Sequence, residues 1–446
     1  MKKIYTIVCT VLLAVLLFVG FFALTQRTQS AAGTSFTFGS LFDGTYFQTL
    51  GNRYKAHFEA SEALANANTS LKSFYAFSFG GKDDKNVSLV IDMNSNAANG
   101  GASLNPTQPA TTPTEPGQTV DPAVPTEPPP PTAEEPDEYA DAVVENLGQA
   151  IIIGNRAMEI PNADYDVMED YAAAVTAIAN KLGTGVRTFS IITPNSAELY
   201  TPKDYHTGDN SQTKMISFCY EKMGDAVKTV DAYSALKAHK DEYIYFRTDH
   251  HWTQLGAYYA YTAFCEQAGL QAESLSAFEQ SELDNFVGSM YSYLSDYSQA
   301  SVLRDNPDTV HIYRPFVNTS TSYYTSAALD DEYPIGCISY IGDNVSNKYM
   351  CYLGGDHPIT IIETDVNGPV CMLLKESYGN SFAPWLTSHY SKIIVIDPRE
   401  FNRDGKPSLN LAEFAAQQKV KDCIILNYPM MINSEYYVAW LNRLVE

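Results

Sequence analysis

Positive charge is what this chain has least of. Lysine and arginine total 29 against 52 aspartate plus glutamate in 446 residues, a formal net charge of −23. Apart from Lys2-Lys3 there is no basic run. Such a chain repels phosphate backbones, so nucleic acid is excluded as a partner. Docking of the folded part on an anionic lipid surface is excluded for the same reason. Neutral or cationic partners remain, and sugars are the neutral class. Of the seven cysteines, Cys9, Cys219, Cys265, Cys337, Cys351, Cys371 and Cys423, no two are spaced C-x-x-C. That removes a zinc ribbon and a thioredoxin-type site. The cysteines read as buried thiols, with a Cys337–Cys351 pair left open. No internal repeat is present, which excludes a solenoid. Disorder throughout is also excluded, since 45% of residues are hydrophobic and only 18% charged.

Long apolar runs are equally scarce, with one exception. Ile4 to Leu24 is an apolar, uncharged run behind Lys2 and Lys3, interrupted only by Thr6 and Thr10. Twenty-one residues at 1.5 Å each reach about 31 Å, enough to cross the hydrocarbon core. The lysines should stay in the cytoplasm, which sends the rest of the chain outside. A cleaved signal peptide is the alternative, and Ser30-Ala31-Ala32 would serve as its cleavage site. Either way the bulk of the protein is expected outside the cytoplasm.

Composition divides the remainder. Residues 1–30 form the stub and anchor, and 31–93 an N-terminal portion of the ectodomain. That portion carries a helical stripe at Phe47, Leu50, Tyr54, Phe58, Leu64, Leu71 and Phe74, then a strand at Val87–Ile91. Residues 94–138 hold eleven of the chain's 23 prolines and read as an extended or disordered linker. From 139 to 446 the texture is α/β. Strands are expected at Ile151–Ile153, Arg187–Thr193, Val227–Val230, Tyr243–Phe246, Val370–Leu374, Ile393–Ile396 and Cys423–Leu426. Helices are expected at Tyr165–Leu182, Met215–Met223, Tyr258–Ala268, Phe382–His389 and Leu411–Gln417. Apolar strands alternating with helices indicate a mostly parallel sheet covered on both faces. Residues 271–369, rich in Tyr, Ser, Thr, Asn and Asp, read as an insertion of loops and irregular β structure.

Two segments carry reactive side chains at the expected carboxyl ends of strands, where ligands bind in such sheets. The first is Tyr243-Ile-Tyr-Phe-Arg-Thr-Asp249-His250-His251-Trp252-Thr253, with Thr253 as an N-cap. The second is Val370-Cys-Met-Leu-Leu-Lys-Glu376-Ser377-Tyr-Gly-Asn380, which places Ser377 between a buried strand and a helix. A serine hydroxyl is a weak nucleophile and needs an adjacent base, which neutral imidazole provides. A carboxylate on the other ring nitrogen holds the tautomer. Asp249 and His251 are two apart, so in an extended turn their side chains leave on the same side; His250 points away and reads as structural. Backbone N–H groups after Ser377 are candidates for an oxyanion hole. Each of these residues has a plainer reading as well. Ser377 alone is an ordinary helix N-cap. Trp252 is either core packing or a stacking surface for a sugar ring. The Asp-His-His turn has metal-ligand side chains, though a site would need a further donor from His206, His357 or His389. Neither a metal nor a cofactor is expected.

The run FRTDHHWTQLGAYYAY resembles the signature of the DHHW family of bacterial surface proteins, and LLKESYGNSFAPWL resembles its second block. Weaker agreement runs through IIIGNRAMEI, TPNSAELY and FVGSMYS, so the likeness spans roughly residues 140–430. That family is similar to the alginate O-acetyltransferases, whose domain is SGNH hydrolase-like. The resemblance implies Asp249 as orienter, His251 as base and Ser377 as nucleophile. Glu376 stands where the family more usually has Asp. The resemblance also implies a membrane-bound O-acyltransferase as a source of acyl groups.

The expectation is thus an SGNH-like, membrane-anchored α/β protein that moves acetyl groups on or off cell-surface polysaccharide through an acyl-serine. Asn195, Asn380 and Trp252 are candidates for contacts to substrate or oxyanion. The alternative is a non-catalytic polysaccharide-binding or assembly protein on the same fold.

Overall fold

The computed structural model describes residues 137–342 and 344–446. The expected anchor, helical stripe, first strand and nearly all of the proline-rich linker lie outside these residues. Among the described residues no helix is long and apolar enough to cross a membrane.

The chain opens with β1 (Val144–Asn146), β2 (Ala150–Ile153) and β3 (Arg156–Glu159). These form a three-stranded antiparallel sheet of their own. The expected strand at Ile151–Ile153 is therefore present but lies outside the main sheet. Helix α1 (Tyr165–Leu182) follows, capped by the Asp164 carboxylate and burying Met168, Tyr171, Val175 and Ile178. That 3/4 spacing is what a one-sided helix requires. Next come β4 (Arg187–Ile192), α2 (Gln212–Lys222), β5 (Val227–Val230) and α3 (Gln254–Ala268). Thr253 caps α3 by accepting from the Gly256 N–H at 3.2 Å.

The segment expected to be a loop-rich insertion is more ordered than its polarity suggested. It contains β6 (Glu279–Phe286), α4 (Ser289–Leu294), β7 (Asp308–Arg314), β8 (Thr319–Tyr324), β9 (Tyr333–Ile335) and β10 (Ile359–Thr364). β6 and β7 pair as a separate antiparallel ribbon. β8, β9 and β10 join the main sheet. The tail supplies β11 (Val370–Lys375), α5 (Tyr378–Phe382), β12 (Lys392–Ile396), α6 (Leu411–Gln417), β13 (Val420–Asn427) and α7 (Glu435–Arg443).

The main sheet has eight strands in the order β5-β4-β13-β11-β12-β10-β8-β9. The first five are parallel to their neighbours. The last three are antiparallel and extend one edge. The sheet is thus mixed, its parallel half as expected and its antiparallel half built from the polar segment. Polarity misled there because edge strands with one wet face alternate rather than run apolar. β11, β12 and β13 are central and buried on both faces, which accounts for their unbroken apolar runs. All six cysteines among the described residues are buried free thiols, so Cys337 and Cys351 are unpaired.

Candidate active site

Tyr243–Phe246 does not form a strand of the sheet. It folds back on the residues that follow, in an isolated antiparallel bridge between Tyr245 and Trp252. The Thr253 N–H donates to the Ile244 carbonyl at 2.9 Å. The apolar character of this run reflects burial of Ile244, Tyr245 and Phe246 in the core, not strand pairing. The loop is hung on one buried carboxylate, Asp308, at the start of β7. Asp308 accepts from the Tyr243 hydroxyl (2.5 Å), the Arg247 N–H (3.1 Å) and Arg247 Nε (3.0 Å). It also accepts from the Thr248 N–H (2.8 Å) and Thr248 Oγ1 (2.6 Å). From the other side Arg156, opening β3, donates to the Phe246 carbonyl at 2.9 Å.

So held, the loop turns Asp249 onto His251. Asp249 Oδ1 accepts from the His251 backbone N–H at 2.9 Å and from His251 Nδ1 at 2.6 Å. The pair is brought together by an Asx-type turn rather than by the extended geometry expected. Asp249 Oδ2 accepts from the Ser289 N–H at 2.8 Å. Gly288 makes that approach possible, since a Cβ there would lie 2.3 Å from Asp249 Cβ. Burial pushes the Asp249 carboxyl up, but His251, His250 and the Ser289 N–H outweigh it and hold the group well below the usual carboxylate range. An ionised Asp249 keeps the ring proton on Nδ1, which leaves Nε2 free to accept. His251 Nε2 lies 2.7 Å from Ser377 Oγ. The Tyr349 ring stacks on the imidazole at 3.9 Å and 10°, and its hydroxyl donates to the Ser377 carbonyl at 2.9 Å.

Ser377 follows β11 directly and precedes α5. Gly379 allows that tight exit, because a Cβ there would meet Lys375 Cβ at 2.4 Å. Asp249, His251 and Ser377 are all buried, at 4, 6 and 7% exposure. The backbone N–H groups expected to form an oxyanion hole are already engaged. Tyr378 N–H donates to Glu376 Oε2 (2.9 Å), Gly379 N–H to the Glu376 carbonyl (2.9 Å) and Asn380 N–H to the Ser377 carbonyl (3.1 Å).

The other sequence candidates serve the scaffold. Trp252 is fully buried, donates to the Tyr378 carbonyl at 3.0 Å and stacks toward Phe382. It is core packing and offers no face to a sugar. Asn195 is 1% exposed; its amide donates to the Glu159 carbonyl and accepts from the Ala197 N–H and Gln212 Nε2, which holds the turn after β4. Asn380 donates to Asp356 Oδ1 at 2.8 Å, in a buried cluster with Lys375 and Arg399. His250 Nδ1 sits 2.5 Å from Ser289 Oγ, and its carbonyl accepts from the Tyr378 hydroxyl. Burial, with His251 beside it, pushes His250 down to about 3, so it is neutral at working pH.

Among the described residues, Asp249, His250 and His251 are the one group whose metal-ligating atoms converge, within 4.8 Å. Both Nδ1 atoms are already in short hydrogen bonds, and the carboxylate oxygen is shared with the imidazole. His206, His357 and His389 add no donor to the group. The donor set fits a hydrogen-bonded relay better than a metal shell.

Sequence reading missed Arg156, Gly288, Ser289, Asp308, Tyr349 and Asp356. Two of these lie in FVGSMYS, whose Gly-Ser pair was the available signal. Arg156 lies in IIIGNRAMEI, and the other three are single residues outside any motif, visible only once the chain is folded.

Residues 132–396, more than half of the chain, match the family model described as DHHW protein. This chain belongs to the DHHW family. Among solved structures it is similar to a DHHW family protein from Eubacterium siraeum, at 27% identity and a TM-score of 0.60, over 68% of this chain and 98% of that one. It is also similar in fold to Bacillus cereus PatB1, determined with a sulfonyl adduct, at 16% identity and a TM-score of 0.52, over 67% and 98% of the two chains. A more distant likeness, 12% identical with a TM-score of 0.37 over 66% and 96%, is to the O-acetyltransferase domain of Pseudomonas putida AlgJ. No curated protein matches the sequence.

Proposed function

We propose that this DHHW protein is an SGNH-like acyl-transfer enzyme that moves acetyl groups on or off cell-surface polysaccharide. One observation carries the reading: Asp249, His251 and Ser377 form an unbroken hydrogen-bonded chain, with contacts of 2.6 and 2.7 Å. In it the Ser377 oxygen attacks the carbonyl carbon of an acetyl ester as its proton passes to His251 Nε2. The leaving oxygen takes that proton, and an acetyl-serine remains. His251 then removes a proton from the acceptor hydroxyl, and Ser377 regains one as the new ester forms. A sugar acceptor makes the site a transferase, and water makes it an esterase. Asp249 orients the ring and stabilises the imidazolium through both steps. The choice of acetyl ester and polysaccharide rests on the resemblance of the two sequence blocks to the alginate O-acetyltransferases. The net charge of −23 suits a neutral or amino sugar. The proposal includes an extracytoplasmic location behind an N-terminal anchor, the proline-rich spacer, and a membrane-bound O-acyltransferase as donor partner.

A fluorophosphonate and an activated acetyl ester test it together. Wild type should be labelled at Ser377 and should turn over the ester. Ser377→Ala should do neither while its thermal melt stays unchanged. Equal turnover by the alanine variant would sink the reading, and sugar binding without labelling would favour a non-catalytic module.

A further inference from the structure

The Ser377 hydroxyl has one proton and two acceptors within reach. His251 Nε2 is at 2.7 Å and Glu376 Oε2 at 3.3 Å. Glu376 is 1% exposed and does two further things. Its Oε2 accepts from the Tyr378 N–H at 2.9 Å, tying down the first turn of α5, while its Oε1 is buried with no hydrogen-bond partner. An ionised carboxylate would leave that oxygen desolvated and unpaired, whereas a neutral acid tolerates the site far better.

Resting on the proposed function, we infer that Glu376 is a positioning residue for Ser377, which leaves the hydroxyl proton to His251 while uncharged and competes for it once charged. A carboxylate 3.3 Å from the nucleophile would draw the proton away from the base. It would also repel the negative charge that develops on the oxygen during attack.

The surroundings decide when that change occurs. Lys375, the last residue of β11, and Arg399 beyond β12 are the cations facing Glu376. Both are already paired, Lys375 with Asp356 at 2.7 Å and Arg399 with Asp397 at 2.5 Å and Asp356 at 2.7 Å. Glu159 at the end of β3 faces Glu376 as a second buried acid, itself pushed well above the usual carboxyl range by burial. Tyr349, Tyr378 and Tyr437 are the phenols around it, all raised by burial. Asp249 and His251 lie across the Ser377 hydroxyl. Burial is the largest influence and pushes Glu376 up to about 8.

The test is the rate of covalent fluorophosphonate labelling of the full chain, followed from about pH 6 to about pH 10. Wild type, Glu376→Gln and Glu376→Asp are compared, with Ser377→Ala as blank and a thermal melt at each pH. Wild-type labelling should fall about tenfold per pH unit once Glu376 ionises. Glu376→Gln cannot ionise yet still accepts from the Tyr378 N–H, so its rate should stay level over that range. Glu376→Asp remains ionisable with a shorter reach, so its alkaline limb should move. A limb that persists in folded Glu376→Gln, stays unmoved in Glu376→Asp, or is missing from wild type overturns the inference while Ser377-dependent labelling still supports the function. Wild type that is never labelled, or labelling that survives Ser377→Ala, overturns the function and the inference with it.

Discussion

At the scale of single residues, Asp249 shows what a short motif can and cannot state. Its two oxygens take three hydrogen bonds, two from His251 and one from the Ser289 N–H. The motif announces the one from the imidazole, because Asp and His stand two apart in one run, but not the one from the His251 backbone, which comes with the Asx-type turn. It says nothing of the third, which arrives from forty residues away. Replacing Asp249 with Asn keeps the size but puts an amide opposite Nδ1 and favours the wrong tautomer. The expected result is a loss of ester turnover of about 10⁴-fold with a lowered melting temperature at neutral pH, because an amide cannot accept all three N–H donors, checked by steady-state kinetics beside a melt. Tyr349→Phe should be milder. It keeps the ring stacked on His251 and removes only the hydroxyl bonded to the Ser377 carbonyl and close to Ser381 Oγ. About 1–2 kcal/mol of stability should be lost, read from denaturant unfolding.

At the scale of elements, the turn before α4 and the start of β7 form a cradle for the DHHW loop. Gly288 is the narrowest point, with Asp249 Cβ only 2.3 Å from where its own Cβ would be. Gly288→Ala must push Asp249 away from His251, so melting temperature and fluorophosphonate labelling should fall together. A variant that keeps both would show that the loop has room to give. Asp308→Asn should loosen the same loop from the other end, since five donor groups converge on its carboxylate. The legible elements here were those with unambiguous local chemistry. β11 was visible as a buried apolar run, α1 as a 3/4 stripe and α3 through its Thr253 cap. Tyr243–Phe246 was apolar enough to read as a strand, yet it pairs only with its own return. Hydrophobicity reports burial, and burial alone does not select a partner.

At the scale of the whole molecule, buried carboxyls make stability depend on pH in two opposite directions. Glu198 and Glu376 are pushed up by burial, to about 7 and about 8. In the unfolded chain such groups ionise near the ordinary glutamate value, so between there and their folded values the unfolded state holds fewer protons. Their contribution is therefore complete only below the ordinary glutamate value and is lost progressively as pH rises from there through 7 to 8. Asp249 and Asp356 are held low, the latter by Lys375 and Arg399 against its own burial. Theirs is complete above the ordinary aspartate range and lost as pH falls below it. The melting temperature should thus peak near about pH 5 and decline toward about pH 8. Glu198→Gln should flatten the upper slope, and a scan of thermal melts against pH checks both.

By itself the sequence determined the α/β texture, the expectations about compartment and partner class, and which three residues had the chemistry to act together. The texture and the expectations follow from composition and local periodicity, and the three residues from two short motifs 126 residues apart in the chain. Only the tertiary structure decided that the polar segment 271–369 brings Gly288, Ser289, Asp308 and Tyr349 to the site, that the N–H groups of α5 are already engaged, and that Trp252 faces the core. It also decided that a second buried carboxyl, Glu376, comes to lie 3.3 Å from the Ser377 hydroxyl. Each of these depends on which distant group comes to lie opposite a given atom. That is a matter of packing and desolvation in three dimensions, and local order along the chain does not carry it.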